Sequence, residues 1–171
     1  FYFAILIYFI FSKFQYPYFF IGTTIIAIVS YVDDLISLSS KIRLIFQSIA
    51  VLLVLYQITV IGDLNGVLLF IFFVIGVGFI NIYNFMDGIN GITGIYSMSV
   101  LFGFFLLNFE NQIIDEQLIA FIVIAITVFG YFNFRKKARF FAGDVGSISI
   151  AMLLFFLAVL FYAKLQAPVV T

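Results

Sequence analysis

Apolar runs alternate with short polar segments along the whole chain. A transmembrane helix needs roughly 20 residues, and several of the runs approach that length. The predicted spans are 18–32, 44–61, 67–83, 92–107, 118–134 and 147–163. Each span is predicted to be a helix, because lipid cannot satisfy backbone polar groups and no strand-like alternation occurs in the runs. The pattern predicts an all-α, polytopic transmembrane helix bundle with about six complete spans plus a partial first one.

Composition supports a membrane location. Of 171 residues, 65% are hydrophobic and only 9% are charged, and the mean hydropathy is +1.29. A water-soluble domain of this size cannot bury so much apolar surface, so the chain is an integral membrane protein. It has no cysteine and no histidine, which excludes disulfides, thiolate zinc sites and the commonest transition-metal ligand. Any metal must therefore be held by oxygen atoms.

The first residues of the chain resemble the end of an apolar segment that has been cut. It begins with Phe and is apolar from the first residue, and 1–12 is too short to cross a bilayer alone. We expect 1–171 to be a single membrane domain and an internal piece of a longer protein.

Successive connections between the spans must lie on alternate sides of the membrane, and the two sets differ in charge. Three of them, 33–43, 84–91 and 135–146, hold most of the cations, whereas the other three hold one lysine, Lys13, and several acids. The cations of the first set are Lys41, Arg43, Arg135, Lys136, Lys137 and Arg139. The positive-inside rule places this set in the cytoplasm.

The first polar cluster is Asp33-Asp34, followed by Lys41 and Arg43. Two carboxylates at the end of a helix oppose its dipole. One interpretation is a solvated loop end that Lys41 or Arg43 neutralises. The other is a carboxylate pair in which one acid is paired to lysine and its neighbour is left as a base or metal partner.

The second cluster runs from Asn81 to Gly91. Asn81 and Asn84 are three residues apart and share a helix face, and Asp87 follows near the same side. Amides inside a membrane helix commonly join two helices, which is the alternative for Asn81. Nearby glycines permit close backbone approach, and oxygen ligands converge beside them.

The third cluster places Asp144 between Gly143 and Gly146, after the basic loop and before an apolar run. Asp144 or Ser147 could simply cap the sixth helix, and the cations could be topology signals alone. A lone acid beside a membrane span nevertheless needs a partner. Magnesium held against a phosphate-bearing substrate fits that need, and a helix N-terminus with glycines also binds anions.

Together the three clusters resemble the motifs of the polyprenyl-phosphate N-acetylhexosamine-1-phosphate transferases. This family initiates peptidoglycan lipid, teichoic-acid linkage and O-antigen synthesis. The motifs are Asp33-Asp34 with Lys41, Asn81-x-x-Asn84-x-x-Asp87-Gly88-x-Asn90-Gly91, and Phe141-x-Gly143-Asp144-x-Gly146-Ser147. The resemblance runs from about residue 18 to the end, and the segment 83–88 is most similar to the branch that initiates bacterial O-antigen and capsule synthesis.

The resemblance implies an enzyme dependent on Mg2+, with Mn2+ as an alternative ion. Such an enzyme transfers N-acetylhexosamine-1-phosphate from a UDP-N-acetyl sugar to undecaprenyl (polyprenyl) phosphate, releases UMP, and initiates cell-envelope polysaccharide synthesis, including that of lipopolysaccharide. It implies a multi-pass protein of the bacterial inner membrane with a cytoplasmic active site. The expected partners are the sugar nucleotide, the lipid phosphate and the bilayer. Nucleic acid is not expected, and a homodimer is left open.

The resemblance also implies roles for individual residues. Asp144 is the expected principal metal ligand, with Asn84 as the second. Asp33 is expected to deprotonate or position the lipid phosphate, Asp34 to pair with Lys41, and Asp87 to be a carboxylate of the nucleotide or metal site. The catalytic set is therefore Asp33, Asp34 and Asp87. The expected substrate-binding residues are Lys41, Asn81, Asn90, Arg135 and Lys136.

Two features depart from the family pattern. Many members carry an aspartate where this chain has Asn90, so a metal or uracil contact could be weaker here. The family also has a later cytoplasmic loop with histidine and arginine that helps to hold the diphosphate and sugar, and this chain has no histidine. Either the chain is a piece or its site is incomplete.

A membrane transporter or channel with a cytoplasmic acidic ion site is the main alternative. Transporters place acids along a path near the midplane, whereas here they lie at helix ends on one side. An intramembrane aspartyl protease would need Gly-x-Gly-Asp, and Phe141 breaks that string. A prenyltransferase of the aromatic type would need a longer aspartate run than Asp33-Asp34.

Overall fold

The computed structural model describes residues 1–62, 64–135 and 138–166. All regular structure in those ranges is α-helical. The helices are α1 (Tyr2–Phe11), α2 (Pro17–Ile36), α3 (Ser40–Ile61), α4 (Gly66–Met86), α5 (Ile92–Asn111), α6 (Glu116–Asn133) and α7 (Gly143–Gln166).

Several helices begin where local chemistry favours a start. Pro17 occupies the first turn of α2, where its missing N–H costs no hydrogen bond. The Asn65 side chain accepts a hydrogen bond from the Leu68 amide at 2.9 Å and caps α4. Asp115 accepts from the Gln117 amide at 2.9 Å and caps α6 in the same way.

Within the described residues, six helices, α2 to α7, are long and apolar enough to cross a membrane by length and composition. α1 has 10 residues, too few to span a bilayer. The predicted fold class, an all-helical bundle with a short first segment, is confirmed.

The helices extend further than predicted at the end that carries the acidic motifs. Asp33 and Asp34 lie in the last turn of α2, Asn84 lies inside α4, and Asp144 lies in the first turn of α7. The sequence placed all four in loops or at loop boundaries. A polar residue marks where the apolar layer ends, but a helix can continue beyond that layer because its backbone hydrogen bonds are internal.

α7 is the central helix of the bundle. It packs against α1, α2, α3, α4 and α5, and nearly all of its side chains from Ser147 to Ala163 are buried. A helix that is apolar on every face is expected in an interior, and this burial holds the N-terminal turn of α7 between the ends of its neighbours.

Small residues allow the closest helix contacts. A Cβ added at Gly76 of α4 would lie 2.6 Å from Phe155 Cζ of α7 and 2.9 Å from Val51 Cγ1 of α3. One added at Gly22 of α2 would lie 2.9 Å from the Ala50 carbonyl oxygen of α3. Small residues let membrane helices approach in this way, and the approach brings the ends of α2, α3, α4 and α7 together.

Candidate active site

Four helix ends meet at one end of the bundle: the C-terminal ends of α2 and α4, and the N-terminal ends of α3 and α7. A small cleft there is lined by Ser30, Asp33, Arg43, Gln47 and Asp144, together with apolar side chains. The first and third motifs line this cleft, and the second motif contacts the start of α7 through Asn84 and Asp87. The three motifs, which are far apart in the sequence, therefore lie at one end of the molecule.

Asp33 is held at the junction of α2 and α3. It is 9% exposed. Its Oδ1 accepts a hydrogen bond from the Leu38 amide at 2.6 Å, and its Oδ2 accepts one from Arg43 Nη1 at 2.8 Å. Ser37 ends α2 with a left-handed backbone, φ 49°. The Asp33 carboxylate therefore fixes both the short turn and the first turn of α3.

Arg43 connects the first and third motifs. The same Nη1 atom lies 2.8 Å from Asp33 Oδ2 and 3.8 Å from Asp144 Oδ2. Among the described residues, these are the two ion pairs of this cleft.

The predicted pairing of Asp34 with Lys41 is not formed. Lys41 is exposed, and Arg43 is the cation that pairs, with Asp33 and not Asp34. The physical reason is helical phase: Lys41 and Arg43 are two residues apart in the first turn of α3, and residues so spaced point to different faces.

Asp34 has a different environment from its neighbour. Its side chain is exposed, and a Cβ built on Gly143 would lie 3.9 Å from Asp34 Oδ2. Asp34 thus faces the start of α7, next to Asp144.

The two asparagines of the second motif make different contacts. Asn84 Oδ1 accepts a hydrogen bond from Ser147 Oγ at 2.6 Å, which joins α4 to the first turns of α7. Asn81 forms a reciprocal amide pair with Gln47, at 2.7 and 3.2 Å. The pair joins α3 to α4, the interhelical contact that the sequence left as the alternative for Asn81. The predicted substrate-binding role of Asn81 stays a prediction.

Asp87 anchors the loop after α4. It is buried, and its two oxygens accept from Thr93 Oγ1 at 2.8 Å and from the Gly143 amide at 2.9 Å. Burial raises the pKa of the Asp87 carboxyl above its usual value, while these hydrogen bonds act in the opposite direction. Asp87 therefore ties the second motif to the residue that precedes Asp144.

Asn133, which the sequence analysis did not identify, joins the same two loops. It is 1% exposed. Its Oδ1 accepts from the Gly91 amide at 2.6 Å and its Nδ2 donates to the Phe140 carbonyl at 2.9 Å. The adjacent Phe134 ring covers Gly94, where an added Cβ would lie 2.6 Å from the ring. The sequence did offer one indication of Asn133, because it is an amide at the end of a predicted span, as Asn81 is.

Two of the remaining predicted substrate-binding residues, Asn90 and Arg135, contact each other. Asn90 is exposed, and its Nδ2 donates to the Arg135 carbonyl at 3.1 Å. The Arg135 guanidinium lies over the Tyr131 ring, 4.9 Å from its centroid, and Nε donates to the Tyr131 carbonyl. Lys136 lies outside the described residues. The substrate roles assigned to these residues stay predictions.

The donors at this end fit a hard cation. Among the described residues, no group of three or more His, Cys, Asp or Glu side chains is arranged to hold a metal. Mg2+ does not need one, because it binds through one or two carboxylates plus waters and substrate phosphates. Asp144 and Asn84 offer oxygen donors beside the same turn of α7, and Asp34 lies close to that turn.

The fold and the cleft define a class: a multi-pass membrane protein with an acidic, arginine-containing site at one end of a helix bundle. Residues 16–162 match the family model for Glycosyl transferase family 4. The chain belongs to that family.

Three bacterial relatives share one name, phospho-N-acetylmuramoyl-pentapeptide-transferase. The protein from Dictyoglomus thermophilum is 28% identical over 147 residues, which are 76% of this chain and 47% of the relative. The proteins from Streptococcus gordonii and Streptococcus suis are 36% identical over 89 residues and 35% identical over 103 residues. These matches cover 50% and 54% of this chain and 27% and 31% of the relatives. The chain thus matches about half of these relatives or less. No solved structure matches it.

These findings confirm the predicted family and a multi-pass protein of the bacterial inner membrane. They do not confirm the more specific expectation of an O-antigen or capsule branch, since the relatives carry a name that refers to an N-acetylmuramoyl-pentapeptide.

Proposed function

We propose that this chain is part of a transferase that moves a phospho-sugar from a UDP-linked donor to polyprenyl phosphate at the cytoplasmic face of the membrane. Family membership and the shared name of the relatives support this class of reaction. The observation that carries the proposal is the meeting of three distant motifs at one end of the bundle. Arg43 lies between Asp33 and Asp144, and the second motif contacts the start of α7 through Asn84 and Asp87.

The proposed reaction joins two phosphates. An oxygen of the lipid phosphate attacks the β-phosphorus of the UDP-sugar, and a new P–O bond forms. The bond from that phosphorus to the bridging oxygen breaks, and UMP leaves with its electron pair. A proton on the attacking phosphate passes to a base. The lipid product carries the sugar on a diphosphate.

Such a reaction needs positive charge and in-line placement more than covalent chemistry, because both reactants are anions. Arg43 supplies a cation that the Asp33 carboxylate holds in place. Asp144 and Asn84 would hold Mg2+, or Mn2+ in its place, and the bound ion would neutralise the diphosphate. Asp87 keeps the loop that carries Asn90 against the start of α7.

A transporter with an acidic ion site is the weaker alternative. The acids of the three motifs lie at helix ends on one side of the bundle, whereas a transport path would place them near the midplane.

Two classes of sugar donor fit this reaction, and they differ in size. The motif resemblance favours a UDP-N-acetylhexosamine and an O-antigen or capsule product. The names of the relatives favour a donor with an N-acetylmuramoyl-pentapeptide. Both donors supply a β-phosphate with the same chemistry, so the motifs alone fit either.

The test is release of UMP by membranes that contain the full-length protein, with polyprenyl phosphate and a panel of both donor classes, in Mg2+ or in chelator. We expect release that requires the lipid and the ion. Asp144→Asn should reduce turnover by about 10²-fold or more, because it removes a charge that acts at the reacting phosphates.

Glu110→Gln is the matched control, since it neutralises an exposed acid near the end of α5 that lies on the opposite side. It should leave turnover unchanged. Full turnover in Asp144→Asn would contradict the metal role, and no release with any donor from correctly inserted protein would contradict the reaction class.

A further inference from the structure

We propose that Asp33 is a positioning residue that holds Arg43 for a substrate phosphate, and that Asp34 is the carboxylate that faces the substrate. This inference rests on the proposed function. It changes the roles within the first motif, where the resemblance implied that Asp33 deprotonates or positions the lipid phosphate itself.

The Asp33 carboxylate has little access to a substrate. A general base must come within hydrogen-bond reach of the proton that it accepts. Each Asp33 oxygen already accepts a short hydrogen bond, from Leu38 and from Arg43, and the side chain is 8% exposed. Both donors belong to the protein, so although Asp33 lines the cleft, both of its oxygens are already engaged at the α2–α3 junction.

Arg43 keeps donors free for a phosphate. A guanidinium has five N–H donors in a planar fork, and Asp33 accepts from Nη1 at 2.8 Å. The Arg43 side chain is 31% exposed and lies in the cleft, 3.8 Å from Asp144 Oδ2. Because the fork is rigid and always charged, it suits bidentate phosphate contact once its orientation is held. Asp33 provides that orientation.

Asp34 has the access that Asp33 lacks. It is exposed and faces Gly143, at the start of the turn that carries Asp144. Adjacent residues on a helix point about 100° apart, so one acid of the pair contacts Arg43 while the other faces the start of α7, beside Asp144.

The phosphate that Arg43 binds could belong to either substrate. Both the lipid phosphate and the donor diphosphate offer the same oxygen chemistry. Separate titrations of polyprenyl phosphate and of the UDP-sugar distinguish them, because loss of the contact should raise KM for the substrate concerned.

The experiment is a double-mutant cycle on the full-length protein in membranes, with UMP release as the readout. The variants are Asp33→Asn, Arg43→Gln, their combination, and Asp34→Asn. We expect Asp33→Asn and Arg43→Gln each to raise KM for the same substrate by about 10-fold or more, as loss of a charged contact does. The double variant should be no worse than Arg43→Gln alone, because residues that act as a unit are not additive.

Asp34→Asn should lower kcat by about 10²-fold with little change in KM, the range of a lost acid–base group. Lys13→Gln, a neutralised cation on the opposite side, is the control and should match the unaltered protein. The assignment would be overturned if Asp33→Asn lowered kcat without raising KM and if its effect added to that of Arg43→Gln.

Two further outcomes are a variant that does not fold and an unaltered protein that releases no UMP. If Asp33→Asn does not fold, as judged by its thermal unfolding in detergent, Asp34→Asn decides alone, since kcat within twofold of the unaltered protein would overturn the proposal. Absence of release from the unaltered protein would instead overturn the proposed function and this assignment with it.

Discussion

At the scale of single residues, side chains with no motif signal hold the site together. Asn133 joins the loop after α4 to the segment before α7, and Gln47 pairs with Asn81 across two helices. Arg43 pairs with Asp33 and Asp144, whereas the sequence analysis expected Lys41 to pair with Asp34. Each contact depends on which face of a helix a residue occupies, and a residue type alone does not reveal it.

Asn133 offers a direct test at this scale. Asn133→Ala leaves the Gly91 amide and the Phe140 carbonyl without their partner, and burying an unsatisfied polar group costs about 1–3 kcal/mol. We expect the free energy of unfolding to fall by about that amount, and UMP release to fall with it because the two site loops separate. Denaturant unfolding in detergent and the turnover assay measure the two effects.

Asn111→Ala is the control for Asn133→Ala. Asn111 is exposed, and its side chain donates within its own helix to the Leu107 carbonyl, so its removal should change stability by less than about 0.5 kcal/mol. Equal stability of the two variants would contradict the bridging role of Asn133.

At the scale of elements, the position of α7 depends on small residues in its neighbours. Two glycines of α4, Gly76 and Gly78, lie in one apolar stretch but have different surroundings. Gly76 faces Phe155 and Val51, whereas a Cβ at Gly78 would meet no atom within 4 Å. The pair separates the effect of close packing from that of helix propensity, because both positions lie in the same helix.

Gly76→Val should destabilise the bundle by about 1–3 kcal/mol, the usual cost of overpacking a filled interior. Gly78→Val should change stability by less than about 0.5 kcal/mol, since its side chain points into open space. Unfolding of the two variants in detergent checks the difference. A Gly76→Val protein as stable as Gly78→Val would show that α4 and α7 do not pack as described.

At the scale of the whole molecule, all three motifs lie on one side of the bundle, and the loop charges predict that this side is cytoplasmic. These 171 residues contain no cysteine, so an introduced cysteine is the one thiol within this stretch that a maleimide can label. Ser39 lies between α2 and α3 beside the site, and Asn111 lies at the opposite end of α5. Both are exposed.

In intact cells, a membrane-impermeant maleimide should label Asn111→Cys and leave Ser39→Cys unlabelled until the cells are opened. The reverse pattern would place the site outside the cytoplasm, away from nucleotide donors, and would contradict the proposed function as well as the orientation.

Much of this architecture followed from the sequence alone. The number and type of spans were predictable because lipid requires each crossing segment to satisfy its own backbone, which is a local property of a helix. The family was predictable because Asp33-Asp34, the Asn81–Gly91 string and the residues around Asp144 occur in order. The positions of the helix ends were not predictable, because a polar residue marks the edge of the apolar layer and the helices continue beyond that edge.

The sequence does not reveal which groups meet; the folded structure does. It paired Arg43 with Asp33, set Asn81 against Gln47, and joined Asp87 and Asn133 to the segment before α7. The reason is that a contact between helices depends on their rotation and separation, which the packing of the whole bundle determines around α7. Local patterns fix the composition of each helix, whereas the pairing of charges arises when the helices pack.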